Sequence, residues 1–314
     1  MDIRKICIFA ASAVVTASCG RDLTVCSPTL EVTAEQTEIK AGESVTFSLD
    51  GKTDYLSFWS GEYGSDYRHR DGRTFTPGVK NTVSFSAEIT SGVQSGQMSV
   101  LVSNSFNGDY MDWDNLIHSG WTDITGWFRL PEGKGKTEST VQDLSAFIYP
   151  DRPLYFAFRY LCRPQETSGT ASRWVISDLK FTNLSAEGEE LTLYGMADSG
   201  FRIVDPFSKT DASALSSVSL TQIVMQGHVP QEGESAADYV TEHWAVSRPI
   251  DMTSPRETGP DRPEALKGYA ESLPSRFTHV YDLPGTYEAV FVASNQSIKE
   301  SRETVKSILI TVTE

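Results

Sequence analysis

The chain has 314 residues and a formal net charge of −15, and it contains 23 glycines and 14 prolines. This length suits two domains of ordinary size, and the many turn residues between stretches of alternating apolar residues favour an all-β fold. The acidic charge argues against nucleic acid or an anionic lipid surface as a partner, because like charges repel.

The N-terminal segment has the features of an export signal. Arg4-Lys5 precedes an apolar run from Ile6 to Val15, which is too short to span a bilayer as a mature helix. The small residues that lead into Cys19 resemble the lipobox of bacterial lipoproteins. This resemblance implies a signal peptide over residues 1–18 and lipidation of Cys19, which would attach the protein to an outer-membrane lipid. The usual leucine three positions before the cysteine is Thr16 here, and an ordinary signal peptide stays the alternative.

Residues 19–30 are polar and lack periodicity, which predicts a tether. Apolar residues then alternate from Val45 to Leu49, and an aromatic strand over Tyr55–Trp59 ends in a glycine turn. Near the other end of the chain, Phe277–Tyr287 contains the turn pair Pro284-Gly285 and leads into another alternating strand. These segments predict a β domain made from both ends of the chain.

The two end segments resemble the opening and closing halves of a polycystic kidney disease (PKD) type, immunoglobulin-like sandwich. The resemblance implies one split domain formed by residues 31–70 and 240–314. Within it, Thr241–Ile250 is interpreted as a strand that returns to this domain. Pro263–Leu273 is predicted to form a short helix, because proline suits a first helical position and Glu264 precedes a lysine on that segment.

A second module lies between these halves. It contains an alternating strand over Val83–Ile89, an Asn107-Gly108-Asp109 element, the series Trp121-Thr122-Asp123-Ile124-Thr125 and a strand ending in Phe158-Arg159-Tyr160. In this order the segments resemble the galactose-binding-like jelly rolls of Bacteroidetes envelope proteins. The resemblance implies that residues 75–230 form a jelly-roll β-sandwich inserted into the PKD/immunoglobulin-like β-sandwich.

Taken whole, the chain resembles a Bacteroidetes lipoprotein family known mainly as a domain of unknown function. The shared segments are Ser60-Gly61-Glu62, Asp261-Arg262-Pro263, Leu266-Lys267-Gly268 and Pro284-Gly285-Thr286-Tyr287. Relatives are linked with outer-membrane glycan uptake, so the resemblance implies an outer-membrane lipoprotein of the cell envelope, with the periplasmic and surface faces both open. A shared fold does not by itself fix a function.

Motifs that carry catalysis are missing from the sequence. There is no Gly-x-Ser-x-Gly or His-Glu-x-x-His motif, and Gly135-Lys136-Thr137 lacks the glycine that a phosphate loop needs five positions earlier. Glu62 and Asp66 are close in sequence, but they occupy a turn where carboxylates commonly cap backbone groups. We therefore expect a non-catalytic protein that requires no cofactor.

One loop is rich in oxygen ligands. Asn107, Asp109, Asp112 and Asp114 follow one another beside the jelly-roll strands, and calcium prefers six to eight oxygen ligands. The spacing of an EF-hand loop is missing, so a structural calcium at these residues is a hypothesis, and a hydrated loop is its alternative.

Exposed aromatic rings on loops are typical of glycan sites, because the C–H face of a sugar stacks on them. Trp113, Tyr110 and Trp127 are the candidates for a glycan site, whereas Trp121 and Trp174 match core positions of the jelly-roll resemblance and are expected to be buried. The function that follows is an accessory glycan-binding lipoprotein near an outer-membrane polysaccharide uptake system, with polysaccharide or uptake proteins as partners. A structural or partner-binding lipoprotein is the alternative, and a glycoside hydrolase with paired carboxylates is a third reading.

Overall fold

The computed structural model describes residues 24–186, 188–206, 216–228, 232–234 and 240–314. The expected signal peptide and its lipidation residue, Cys19, lie outside these residues. The described chain is predominantly β, with two short α-helices over Trp113–Ile117 (α1) and Gln165–Ser168 (α2). None of its helices is long and apolar enough to cross a membrane.

The chain divides into two compact units. The first combines the described residues up to Arg73 with Gly259–Glu314, and the second is Thr74–Thr258. The first unit is thus built from both ends of the chain, and the second is one continuous segment. The strands β5 (Arg73–Phe75) and β18 (Arg256–Gly259) span the two points at which the chain passes from one unit to the other.

Two sheets form the first unit, which is of the β-sandwich type. Its strands are β1 (Thr29–Ala34), β2 (Glu38–Lys40), β3 (Ser44–Lys52), β4 (Tyr55–Trp59), β19 (Glu264–Lys267), β20 (Arg276–Val280), β21 (Gly285–Gln296) and β22 (Ser301–Thr313). One sheet has the order β1-β3-β20, and the other has the order β19-β4-β21-β22-β2.

The inward face of β3 explains why these two sheets pack together. Its alternating apolar residues Val45, Phe47 and Leu49 are all buried. The ring centroid of Phe47 lies 5.7 Å from that of Phe58 on β4 and 5.1 Å from that of Phe291 on β21. Burying one such ring contributes about 1.5–3 kcal/mol. The strand nearest the N-terminus therefore shares its core with the closing strands of the chain.

Two sheets also form the second unit. Its remaining strands are β6 (Lys80–Ser91), β7 (Met98–Ser103), β8 (Thr122–Asp123), β9 (Gly135–Glu138), β10 (Gln142–Asp143), β11 (Tyr155–Cys162), β12 (Arg173–Leu184), β13 (Glu190–Gly195), β14 (Arg202–Val204), β15 (Ser217–Val218), β16 (Gln222–Met225) and β17 (Thr241–Val246). The seven-stranded sheet has the order β10-β6-β12-β16-β15, with β13 paired to β12 and β9 to β6, and the five-stranded sheet has the order β14-β17-β11-β7-β8.

The five-stranded sheet is covered on both faces. Phe156 and Phe158 of β11 point into the larger core, which also contains Trp174 of β12. The neighbouring residues Tyr155 and Ala157 belong to a second core cluster on the opposite face. Because both faces are buried, β11 is apolar at consecutive positions rather than at alternate ones.

Two expectations about the C-terminal part are wrong. The segment Thr241–Val246 does not return to the first unit, because β17 pairs with β11 and β14 inside the second unit. The second unit accordingly extends to residue 258 rather than ending near 230, and the chain re-enters the first unit at 259 rather than at 240. A strand that is largely buried on both faces can join either sandwich, and only its pairing decides which.

The predicted helix over Pro263–Leu273 is also wrong. Residues Glu264–Lys267 form β19, which pairs antiparallel with β4 through Glu264↔Phe58 and Ala265↔Ser57. A bulge between Ala265 and Lys267 interrupts the register. The open edge of β4 offered backbone hydrogen bonds to Glu264–Lys267, and these outweighed a local helix propensity of a few tenths of a kcal/mol per residue.

Candidate functional site

Tyr110 and Trp113, two of the predicted glycan contacts, pack against the second core of the second unit. The Tyr110 hydroxyl donates a hydrogen bond to the backbone oxygen of Ser247 at 2.8 Å, and its ring meets Phe106 edge to face. Burial raises the pKa of Tyr110 to about 12. Both residues cover the outer face of the five-stranded sheet, so their contact surface is largely used within the protein.

The predicted calcium loop forms a series of turns in which its side chains accept backbone hydrogen bonds. The Oδ1 atom of Asn107 accepts from the N–H of Asp109 at 2.9 Å, and the Oδ1 atom of Asp109 accepts from the N–H of Met111 at 2.9 Å. Asp112 caps the N-terminus of α1. No group of three or more His, Cys, Asp or Glu side chains in the described part of the chain is placed to hold a metal ion. Calcium binding here stays a prediction.

Trp127, the third predicted contact, lies on the surface. It ends a 3₁₀ turn over Thr125–Trp127 and is 42% exposed. Its ring centroid lies 5.8 Å from that of Phe147. Its backbone oxygen accepts hydrogen bonds from Thr140 Oγ1 at 3.0 Å and from Gln142 Nε2 at 2.6 Å. This turn therefore holds a large aromatic ring in a fixed, solvent-facing position.

A groove of about 640 Å³ lies beside this turn, and Thr125 and Phe128 are among the residues that line it. Its apolar wall includes Met98, Phe128 and Leu130. Phe128 is held in place by Phe85, whose ring centroid lies 4.9 Å away. Because these apolar residues lie beside polar ones, the groove can contact both the C–H faces and the hydroxyl groups of an amphipathic ligand.

The polar side of the groove carries two charged side chains that pair with no other described residue. Arg129 and Glu132 both line it and are both exposed. Neither side chain makes a hydrogen bond or an ion pair with another of the described residues. A guanidinium offers five N–H donors, and a carboxylate offers only acceptors. Together they can bind groups that both donate and accept hydrogen bonds.

Trp174 contributes a buried side chain to the groove wall. It is 2% exposed, as the sequence predicted for a core position, and it lines the groove. Its indole N–H has no hydrogen-bond partner among the described residues. By contrast, the indole N–H of Trp121 donates to the Leu116 oxygen and that of Trp244 donates to Glu242 Oε1. An unpaired buried donor of this kind costs about 1–3 kcal/mol.

Of the residues in and beside this groove, the sequence predicted only Trp127 as a binding residue. Trp127 was identifiable as an aromatic residue in a polar loop. Arg129, Glu132 and Trp174 were not, because they meet only after β12 packs beside the loop that follows the 3₁₀ turn. The charged residues of that loop are the sequence feature that could have indicated a site there.

The turn carboxylates of the first unit are paired. Glu62 Oε2 lies 2.8 Å from His279 Nε2. Asp66 accepts hydrogen bonds from the backbone N–H and the guanidinium of Arg68. Burial by itself would raise the pKa of Asp66, but these hydrogen bonds hold it below its usual value.

Residues 18–201 match a protein-family model described as a domain of unknown function, DUF5017. The chain belongs to this family. The DUF5017 match covers more than half of the chain and includes all the residues that line the groove, from Ser95 to Trp174. It ends within the second unit, before the closing strands of the first. No curated protein matches this chain.

Proposed function

We propose that this DUF5017 protein is a non-catalytic, lipid-anchored protein of the cell envelope that binds glycan in the groove of its second unit. One observation carries the proposal: apolar side chains line the groove beside Arg129 and Glu132, which pair with none of the described residues, and the exposed ring of Trp127 directly precedes this segment. We also propose that the second unit is a galactose-binding-like jelly roll and that the first is a PKD/immunoglobulin-like sandwich. The strand orders described above support these finer descriptions.

The chemistry of a sugar matches this groove. A pyranose presents a face of C–H groups that packs on apolar and aromatic side chains, while its ring of hydroxyls both donates and accepts hydrogen bonds. Phe128 and Leu130 suit the first property, and Arg129 with Glu132 suits the second. Trp127 would stack on a neighbouring sugar of the same chain, and an aromatic contact of this kind is worth about 0.5–1.5 kcal/mol.

Anchoring at Cys19 would hold the binding site near the membrane. Two or more acyl chains give lasting attachment to a bilayer, whereas one gives only marginal binding. We propose an outer-membrane location beside a polysaccharide uptake system, with lipid at Cys19 as one partner and polysaccharide or uptake proteins as others. Metabolic labelling with a fatty-acid probe tests the anchor, and Cys19→Ser should abolish the label. An undiminished label in that variant contradicts lipidation at this residue.

Glycan binding is tested with a polysaccharide and oligosaccharide panel, followed by calorimetry on the best ligand. Arg129→Ala and Trp127→Ala should each weaken binding severalfold without lowering the melting temperature. Tyr269→Ala is the matched control, because Tyr269 is a 70% exposed aromatic residue in the first unit. Equal affinity in all four proteins contradicts the groove assignment.

The two alternatives give different results in the same experiments. A structural or partner-binding lipoprotein binds no glycan on the panel but retains a specific partner protein from the envelope. A glycoside hydrolase shortens one of the polysaccharides. Release of shorter products by the wild-type protein, and not by a Glu62→Gln variant, would replace the binding proposal with the hydrolase.

A further inference from the structure

A second cleft, of about 470 Å³, lies entirely within the first unit. Three segments that are far apart in the sequence line it: the turn after β4, the start of β19 and the middle of β20. They contribute Glu62 and Tyr63, Arg262 and Glu264, and His279. Ser60-Gly61-Glu62 and Asp261-Arg262-Pro263 are among the segments that carry the resemblance to the lipoprotein family, but nothing in the sequence indicates that these two motifs meet.

The cleft has a rigid base. Gly61 N–H donates to the Ser65 oxygen, and Ser65 N–H donates back to the Glu62 oxygen, both at 2.9 Å. Next to Arg262, the buried Asp261 accepts hydrogen bonds from Arg73 Nε at 2.9 Å and Nη2 at 2.8 Å. The backbone on both sides of the cleft is thus fixed before any ligand enters, which lowers the entropy lost on binding.

Glu62 and His279 form the fixed polar pair of the cleft. Their side chains are 2.8 Å apart, and the His279 ring packs against Phe58 and Tyr281. Burial alone would raise the pKa of Glu62, but the hydrogen bonds from His279 and Ser60 hold it below its usual value. Glu62 therefore stays ionised at neutral pH and serves as an acceptor.

Arg262 and Glu264 are the charged side chains of the cleft that are open to a ligand. Both are exposed, and neither side chain forms a hydrogen bond or an ion pair with the rest of the described chain. Tyr63 beside them is 42% exposed, with the guanidinium of Arg73 4.6 Å from its ring centroid. The cleft thus presents donors, acceptors and one aromatic edge to solvent.

We propose that this cleft is a second carbohydrate site, which binds a neutral, hydroxyl-rich sugar. An anionic ligand would lie against Glu62 and Glu264, and a cationic one would lie against Arg262, so a ligand of either charge would meet a like charge in the cleft. A vicinal diol has no charge, and each of its hydroxyls can accept from Arg262 and donate to a carboxylate. The site is separate from the groove of the second unit, so the protein would bind two short oligosaccharides at once.

Calorimetric titration of the full chain with short neutral oligosaccharides tests this inference. The wild-type protein should bind two molecules. Arg262→Ala should remove one of them or weaken it about tenfold, and Arg129→Ala should affect only the other. Arg302→Ala is the control, because Arg302 is an exposed arginine of the same unit that pairs with Glu300 away from the cleft. Since Arg262 is exposed, its loss should not unfold the protein.

The outcomes separate this inference from the proposed function. A stoichiometry of one, lost in Arg129→Ala and unchanged in Arg262→Ala, overturns the second site and leaves the groove intact. A stoichiometry of one that is lost in Arg262→Ala and unchanged in Arg129→Ala supports the cleft and contradicts the groove. Binding of uronic-acid oligosaccharides that Arg262→Ala abolishes, without binding of neutral ones, overturns the stated ligand class. The absence of binding with every sugar, neutral or acidic, overturns both sites.

Discussion

Arg73 and Asp261 are 188 positions apart in the sequence, and they are joined by two hydrogen bonds of 2.9 and 2.8 Å within the first unit. Both residues are buried, and Asp261 also accepts the backbone N–H of Asp66 at 2.9 Å. The pair therefore connects the N-terminal segment of this unit to the segment that returns after the second unit. Arg73 also lies 4.0 Å from the Oδ2 atom of Asp66, so residues of both segments form one charged cluster.

We expect Asp261→Ala to destabilise the first unit by about 3–5 kcal/mol, because it removes a buried carboxylate that accepts two hydrogen bonds from the Arg73 guanidinium and one from the backbone N–H of Asp66. Urea unfolding followed by the fluorescence of Trp59, with the other tryptophans replaced by phenylalanine in every protein compared, measures the change. Asp71→Ala is the control, since the Arg70–Asp71 contact is exposed and 3.6 Å long and should contribute at most about 1 kcal/mol. Equal effects of the two substitutions would contradict the structural role given to Asp261.

The turn below the cleft should tolerate no side chain at its first glycine. Gly61 has φ +83°, and a Cβ there would lie 2.7 Å from the backbone nitrogen of Glu288. Gly64 has φ +84°, but a Cβ there meets nothing within 4 Å. Gly64→Ala should therefore cost only the strain of a left-handed residue, about 1–2 kcal/mol. Gly61→Ala should cost clearly more, and thermal melts of the two variants provide the comparison.

Stability of the first unit should fall in acid. Burial opposes ionisation of Asp66 and Asp261, but hydrogen bonds from Arg68 and Arg73 respectively hold the pKa of each below its usual value. A carboxylate whose pKa is lower in the folded state stabilises that state above the unfolded pKa, and the stabilisation is lost as the pH falls through the folded pKa. The loss should begin near pH 4, where unfolded aspartates protonate.

Urea midpoints measured between pH 6 and pH 2.5 test this expectation. The wild-type protein should lose stability steadily below about pH 4. Asp261→Asn should show a flatter profile, because it lacks one of the two carboxylates that must be protonated. Identical slopes in the two proteins would mean that Asp261 is not held ionised by its partners.

Two aromatic residues of the second unit should separate binding from stability. Trp127→Ala removes an exposed ring, so glycan affinity should fall about 2- to 10-fold while the free energy of unfolding changes by less than about 1 kcal/mol. Tyr110→Phe removes the hydrogen bond to Ser247, and it should cost about 1–2 kcal/mol of stability with no change in affinity. Calorimetry measures the glycan affinity of both variants, and urea unfolding measures their free energy of unfolding. Loss of affinity in Tyr110→Phe would return that residue to the binding site.

The sequence by itself determined the class of structure. Strict alternation at Val45, Phe47 and Leu49 requires a strand with one buried face, and Pro284-Gly285 requires a turn before the next strand. These signals are local, because they depend on backbone geometry and on the two-residue period of a strand. The lack of strand alternation around Trp127 likewise identified it as an aromatic residue in a loop.

Only the tertiary structure decided which sandwich each strand joins and which charges meet. Thr241–Val246 is largely buried on both faces and pairs in the second unit, and Glu264–Lys267 becomes a strand because the edge of β4 is open to it. His279 likewise meets Glu62 from 217 positions away, and Arg262 lines the same cleft. Hydrogen bonding between strands and burial of side chains depend on partners distant in sequence, and no local pattern specifies those partners.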